Sequence, residues 1–356
     1  MSRYYDEQEL KNKQKLDLLR KELPPFLSEF FRSRTDHTSS RTRLAYAYDL
    51  RLFFNFLISE TREIDAKSMD DFTLEHFGKI TDEHIEEFLE YLGYYVTNRN
   101  VEGAEFHVEN QTGGKARKLS TIRAVFAYFY KKGKVSANPA ELVDMPPVRE
   151  KAKVYLDVDE IADLLDMAEG GANLTKRQKD YHAHTRSRDV ALLSLLAGTG
   201  IRVSELVGLN LNDVDVDRGS FRVVRKGGDE AILFFSEEIE MALREYLEIR
   251  GLKKGKIQAG HENALFLSMQ NRRITARAVQ NLVKKYSELA VSFKKITPHK
   301  LRSSFGTNMY RQTGDIYLVA DLLGHKDVNT TRKSYADTKQ EAGRRAAKAY
   351  RLRGDD

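Results

Sequence analysis

Residues 297–309 read TPHKLRSSFGTNM. Thr297 has the side chain of a helix N-cap, and Pro298 suits the first helical position, where a backbone N–H has no partner to lose. A helix over 298–311 then sets His299 and Arg302 one turn apart on one face, at its positive end. A guanidinium fork, an imidazole and unpaired backbone N–H groups together make a prepared anion site.

Three other segments carry groups of the same kind. Upstream, Gly198-Thr199-Gly200-Ile201-Arg202-Val203-Ser204-Glu205-Leu206 is a glycine turn leading into a helix. Arg202 falls in its first turn. Glu205, three residues on, is placed to hold the guanidinium; an ordinary surface ion pair is the alternative reading. Residues 220–235 hold two β-rich runs, FRVVR and AILFF, joined by Lys226-Gly227-Gly228-Asp229, the pattern of a hairpin. Lys226 at its tip is either a solvated charge or a proton donor, and Arg225 sits beside it. Downstream, a helix over 315–323 ends at Gly324, His325 follows, and Asn329 caps a further helix holding Tyr335. Position alone says little about one tyrosine among 17.

In this order and in these contexts, two arginines, two histidines, a lysine and a tyrosine resemble the tyrosine recombinase (phage integrase) family. TGIRVSELVGL, RKGGDEAI, TPHKLRSSFGTNM, DLLGHKDVNTT and the Tyr335 segment carry the resemblance, spanning residues 155–340. Weaker matches lie in RKLSTIRAVFAYF and SSRTRLAYAYDLRLFFNFL. The resemblance implies that Arg202 and Arg302 clamp the non-bridging oxygens of a scissile DNA phosphate. His299 and His325 then stabilise the pentacoordinate transition state and manage protons. Lys226 is the general acid for the departing 5′ oxygen, Tyr335 the nucleophile that forms a 3′-phosphotyrosyl link, and Glu205 an orienting residue. No cofactor or metal is implied. One departure is local: residues 326–334, KDVNTTRKS, are one residue longer than in many members, and Tyr350 is the other late tyrosine. The chemistry is coherent, because an anionic phosphodiester resists attack until cations neutralise it, and a phenol of pKa about 10 needs those cations to become a nucleophile.

The implied fold is mainly α with a small β-sheet, the catalytic domain being α+β. A helical core-binding (SAM-like) domain precedes the tyrosine-recombinase catalytic domain, and together they form a C-shaped clamp. The expected boundaries are a charged helix over 1–24, the core-binding domain over 25–144, a linker over 145–154 and the catalytic domain over 155–356. Apolar periodicity supports helices over 5–22, 26–31, from Ser39-Ser40 through Leu57, 83–95 and from Leu119. In the second half it supports helices at 157–168, 189–199, 237–250 and 275–290, and a last one over 338–352. Residues 59–82 read as irregular, and 98–114 and 170–188 as loops.

With 356 residues, 41% of them apolar, the chain has enough for two cores. It has no cysteine, which excludes disulfides, thiolate metal sites and a cysteine nucleophile. No apolar run reaches the ~20 residues of a membrane span, and the N-terminus lacks a signal-peptide core, so a cytoplasmic protein without membrane attachment is expected. The net charge of +6 is modest, but ten Lys/Arg against three Asp/Glu lie between Lys115 and Lys153. Basic residues near phosphates release counterions. Arg41, Arg43, Lys115, Arg117, Lys118 and Arg123 are therefore the candidate DNA-binding residues; a solvated helix face is the alternative. The resemblance implies double-stranded DNA with an inverted-repeat recombination site as partner, and a homotetramer on two sites. Only about 25 residues precede the first domain, which points to the Xer type, with resolution of chromosome dimers at cell division and a division-associated DNA translocase as candidate partner. A mobile-element integrase, a type IB topoisomerase and a catalytically dead accessory protein are the other readings. The C-terminal helix, with Ala342, Ala346, Ala347 and Tyr350, docks either on its own domain or on a neighbour.

Overall fold

The computed structural model describes residues 3–98, 105–148, 154–225, 228–325 and 327–328. The chain divides into two compact units, Arg3–Lys151 and a second beginning at Ala152.

The first unit is helical: α1 (Arg3–Arg20), α2 (Leu27–Ser33), α3 (Ser40–Glu60), α4 (Leu74–Gly78), α5 (Asp82–Tyr91) and, after a short hairpin, α6 (Thr112–Lys131). Caps written in the sequence start several of them. The Ser39 hydroxyl accepts the Thr42 N–H at 3.2 Å. Thr73 and Thr81 pair reciprocally with His76 and His84, whose Nδ1 atoms each accept the cap N–H at 3.1 Å. The apolar faces meet in one phenylalanine-rich core containing Phe30, Phe53, Phe54, Phe88 and Phe129. Phe77 of α4 stacks on Phe126 of α6 with ring centroids 4.1 Å apart.

Three expectations are corrected here. The segment 1–24 is not set apart from the first core, because Leu16 and Leu19 of α1 and Leu23 just after it are buried there. The irregular stretch 59–82 contains α4. Residues 98–114 are not a simple loop: β1 (Tyr95–Asn98) and β2 (Glu105–Val108) pair antiparallel with Tyr95 opposite Val108, and α6 begins at Thr112, seven residues before Leu119. Four-residue strands are too short to display an alternating pattern, and their pairing is a non-local event.

The second unit contains α7 (Val158–Gly170), α8 (Lys176–Thr199), α9 (Val203–Gly208), a sheet of β3 (Val214–Asp215), β4 (Ser220–Val224) and β5 (Glu230–Phe234), then α10 (Glu237–Gly251), α11 (Ala276–Ala290), α12 (Pro298–Thr313) and α13 (Ile316–Leu323). The sheet is antiparallel in the order β3-β4-β5. Phe221 and Val223 face the core from β4, and Arg222 between them is exposed. The expected hairpin is present. The loop over 170–188 is overturned, since α8 starts at Lys176 under a capping box of Thr175 and Gln178. Its first turns are polar on every side and show no apolar stripe, which is why periodicity missed them.

From Asp189 onward α8 is the buried axis of the unit. Asp189, 1% exposed, accepts bonds from Thr185 at 3.0 Å, Arg188 Nε and Nη2 at 3.0 and 2.6 Å, and the Tyr286 hydroxyl of α11 at 3.0 Å. Burial, then the Asp189 charge, pushes the Tyr286 phenol well above its usual range. Removing one partner of a buried charged pair leaves the other uncompensated. Asp189→Ala is therefore expected to lower unfolding stability by about 3–5 kcal/mol, with Asp189→Asn losing less because it keeps an acceptor. Urea midpoints of the two variants check this.

Candidate active site

α13 ends at Gly324, whose φ of 61° lies in the left-handed region. A helix C-terminus leaves carbonyls without intrahelical donors and with partial negative charge. Three arginines from three parts of the second unit converge on four consecutive carbonyls there. Arg225, just past β4, donates Nη1 to Asp321 O at 3.2 Å and Nη2 to Leu322 O at 3.1 Å. Arg302 on α12 donates Nη2 to Leu323 O, and Nη1 to Gly200 O at 2.5 Å. Arg202 donates Nη2 to Gly324 O at 3.3 Å.

Arg202 is the N-cap of α9 rather than part of its first turn. Glu205 accepts from the Arg202 backbone N–H at 3.0 Å and from its Nη1 at 2.7 Å. The Glu205 side chain is 4% exposed and the Arg202 side chain 32%, so this is a supported half-buried pair and not a surface one. Arg302 is buried, at 6%. In the sequence Arg302 lies about a hundred residues beyond Arg202 and Glu205; the fold brings the three together around one helix end.

The two histidines lie in the same field. His325 follows Gly324 directly, and its backbone N–H donates to Ala320 O at 3.0 Å. Burial, then the charges of Arg302, Arg202, His299 and Arg225, pull its imidazole down to about 4. His299 is exposed in the first turn of α12, which Thr297 caps and Pro298 begins. Desolvation by its neighbours, then Arg302, Lys300 and Arg202, hold it below its usual value. Neutral imidazoles beside crowded guanidiniums describe a site short of negative charge, which an incoming phosphate would supply.

Lys226 and Tyr335 lie outside the described residues, as do Asn329, Tyr350 and the helix expected over 338–352. Sequence reasoning assigned no place to Arg225. Its only signal was a second basic residue beside Lys226, and nothing local shows that its guanidinium caps a helix about 96 residues away. Among the described residues, no group of three or more His, Asp or Glu side chains is arranged to hold a metal ion.

The basic candidates of the first unit separate by what they touch. Arg43 is buried and donates its Nη1 to Thr35 O and Thr38 O, both at 2.6 Å, so it serves the fold rather than a DNA surface. Lys118 is also buried and donates to Asn110 Oδ1 at 2.7 Å; burial lowers its pKa, against the pull of Asp49. Arg123 donates to Ala140 O at 2.9 Å and Val143 O at 2.5 Å, tying α6 to the chain that follows it. Arg117 pairs bidentately with buried Asp49 while its side chain stays 52% exposed. Arg41 is exposed and Lys115 partly so.

The lowered His325 pKa makes a stability statement. Between 6.5 and about 4 the unfolded chain binds a proton that the folded site refuses, so this group's contribution to stability is lost as pH falls through that window. His325→Gln removes the penalty. The stability difference between parent and His325→Gln is expected to shift in favour of the variant from pH 7 to pH 4.5, read from paired urea titrations. A pH-independent difference would contradict it.

The sequence profile of the phage integrase family matches residues 155–342. The chain is 32% identical over 323 residues to a tyrosine recombinase XerC of Caldanaerobacter subterraneus subsp. tengcongensis, covering 87% of this chain and 82% of the relative. It is 31% identical over 295 residues to a tyrosine recombinase XerC of Thermodesulfovibrio yellowstonii, covering 83% and 85%. Among solved structures, the Tn1549 transposon integrase in complex with circular intermediate DNA matches with a TM-score of 0.62 at 19% identity, over 91% of this chain and 97% of that one. The XerH recombinase bound to its difH substrate matches with a TM-score of 0.61 at 18% identity, over 90% and 83%; these two structures speak for the fold. With over half of its length inside the family profile and relatives above 30% identity along most of their own length, the chain belongs to the phage integrase family of tyrosine recombinases.

Proposed function

We propose that this protein is a Xer-type site-specific recombinase that cuts and rejoins DNA through a 3′-phosphotyrosyl intermediate on Tyr335. The observation that carries the reading is the pair Arg202 and Arg302, held on the adjacent carbonyls of Gly324 and Leu323 beside His325. Two guanidiniums oriented from different helices suit the non-bridging oxygens of one phosphate. Glu205 orients the first of them.

In this reading the Tyr335 oxygen attacks phosphorus and the 5′ oxygen departs, taking a proton from Lys226. His299 and His325, neutral before DNA arrives, donate hydrogen bonds to the phosphoryl oxygens and accept or return the phenol proton. The phosphotyrosine ester keeps the bond energy, so the 5′ hydroxyl of another strand reverses the step without ATP. DNA carrying an inverted-repeat site, a tetramer on two sites and action in the cytoplasm belong to the same proposal. The XerC relatives, matched over most of their length, favour resolution of chromosome dimers at cell division, with a DNA translocase as activating partner, over service to a mobile element. In the first unit, Arg41, Lys115 and the exposed edge of Arg117 are the residues we assign to DNA.

Tyr335→Phe is expected to abolish covalent linkage to a nicked suicide substrate while site binding stays nearly unchanged; persistent linkage would sink the assignment. Arg202→Ala is expected to slow single-turnover cleavage by about 10²–10³-fold, the usual effect of losing one transition-state donor. Cleavage at the parental rate would remove Arg202 from the phosphate.

A further inference from the structure

We infer that Arg225 is a positioning residue for leaving-group protonation: it docks the β4–β5 turn onto the C-terminus of α13, beside His325. The inference rests on the reading of Lys226 as general acid, since Lys226 is the next residue in the chain.

Four observations support it. The Arg225 guanidinium forks onto two successive carbonyls, Asp321 O and Leu322 O. Its backbone closes the turn from both sides: the Arg225 N–H donates to Asp229 O at 2.7 Å, and Arg225 O accepts the Gly228 N–H at 3.1 Å. One residue thus ties the hairpin to itself and to the helix end. Third, a Cβ at Gly324 would collide with this guanidinium, so the absence of a side chain there is what admits it. Fourth, burial works against the Arg225 charge, and Glu205, which orients Arg202, works for it. Arg225 is not itself the acid, because a guanidinium does not give up a proton in the relevant pH range.

β4 and β5 are only five residues each, and the sheet ladder ends at Val224 and Glu230, so the Arg225 contact with α13 holds the chain just beyond the last strand pair. A general acid contributes about 10²–10⁴-fold only when held within hydrogen-bond reach of the leaving oxygen. Arg225 provides the hold, so losing it should look like a weakened loss of the acid.

The test uses the full chain and two versions of one recombination site, with the scissile 5′ oxygen either kept or replaced by sulphur. A thiolate departs without protonation, so a defect in acid delivery disappears on the sulphur substrate. Single-turnover cleavage by Arg225→Gln is expected to fall about ten- to a hundredfold on the oxygen substrate, inside the general-acid range, and to return to within a few-fold (~3-fold) of the parent on sulphur. DNA binding should be unchanged. If Arg225→Gln binds DNA poorly, Arg225→Lys, which keeps the charge but not the fork, reads the same oxygen-to-sulphur ratio. Lys226→Ala is run beside them. If Lys226→Ala is rescued by sulphur and the Arg225 variants are not, or if those variants show no defect, the inference is overturned alone. If Lys226→Ala is not rescued, the assignment of Lys226 fails and the inference with it.

Discussion

Four carbonyls at the end of one short helix hold the catalytic unit's charged centre together. Asp321, Leu322, Leu323 and Gly324 end α13, where helical N–H donors run out and the cap N–H of Gly324 reaches back only as far as Asp321 O. Arginine answers this need well, because its planar fork donates in several directions and stays charged when half-buried. Arg225, Arg302 and Arg202 each take part of the row. Three like charges so close would repel one another. The partial negative charge of the helix end and buried Glu205 offset that repulsion, while His325 and His299, held below their usual pKa, resist adding positive charge. The result is a cluster of guanidiniums whose orientations are set by the fold, the feature on which the proposed phosphate site rests.

Two glycines make the arrangement sterically possible. Gly324 turns the chain through a left-handed conformation and leaves room for the Arg225 guanidinium. Gly200 does the equivalent at the end of α8: with φ of 61°, a Cβ there would meet Phe305 at 2.5 Å and Leu323 at 2.9 Å. The close approach of α8, α12 and α13 at this point lets Arg302 bridge Gly200 O and Leu323 O. Behind it, the Asp189 network ties the buried half of α8, the helix that ends at Gly200, to α11.

The first unit shows how poorly charge counts translate into surface. Arg43, Lys118 and Arg123 look like Arg41 in the sequence, yet they donate to backbone carbonyls or to Asn110 inside their own unit. A long basic side chain in a helical protein has many internal acceptors within reach, and only the packed structure shows which acceptors it found. Arg117 is intermediate, held from behind by Asp49 and open in front.

What the amino-acid sequence determined was local: the caps at Ser39 and Thr297, the helical phase of the phenylalanines, the hairpin of β4 and β5, the turns at Gly200 and Gly324, and the order of Arg202, His299, Arg302 and His325 that marks the family. Each is set by neighbours a few residues away, or by an ordered pattern that needs no coordinates. Where local pattern was weak, in the polar first turns of α8 and the four-residue strands β1 and β2, the reading failed. Tertiary structure alone decided that Glu205 is buried behind Arg202, that Arg43 faces inward, and that Arg225 reaches the end of α13 across about 96 residues of chain. Those outcomes depend on which donors and acceptors packing strands together away from water, a property of the assembled core that no stretch of the chain carries by itself.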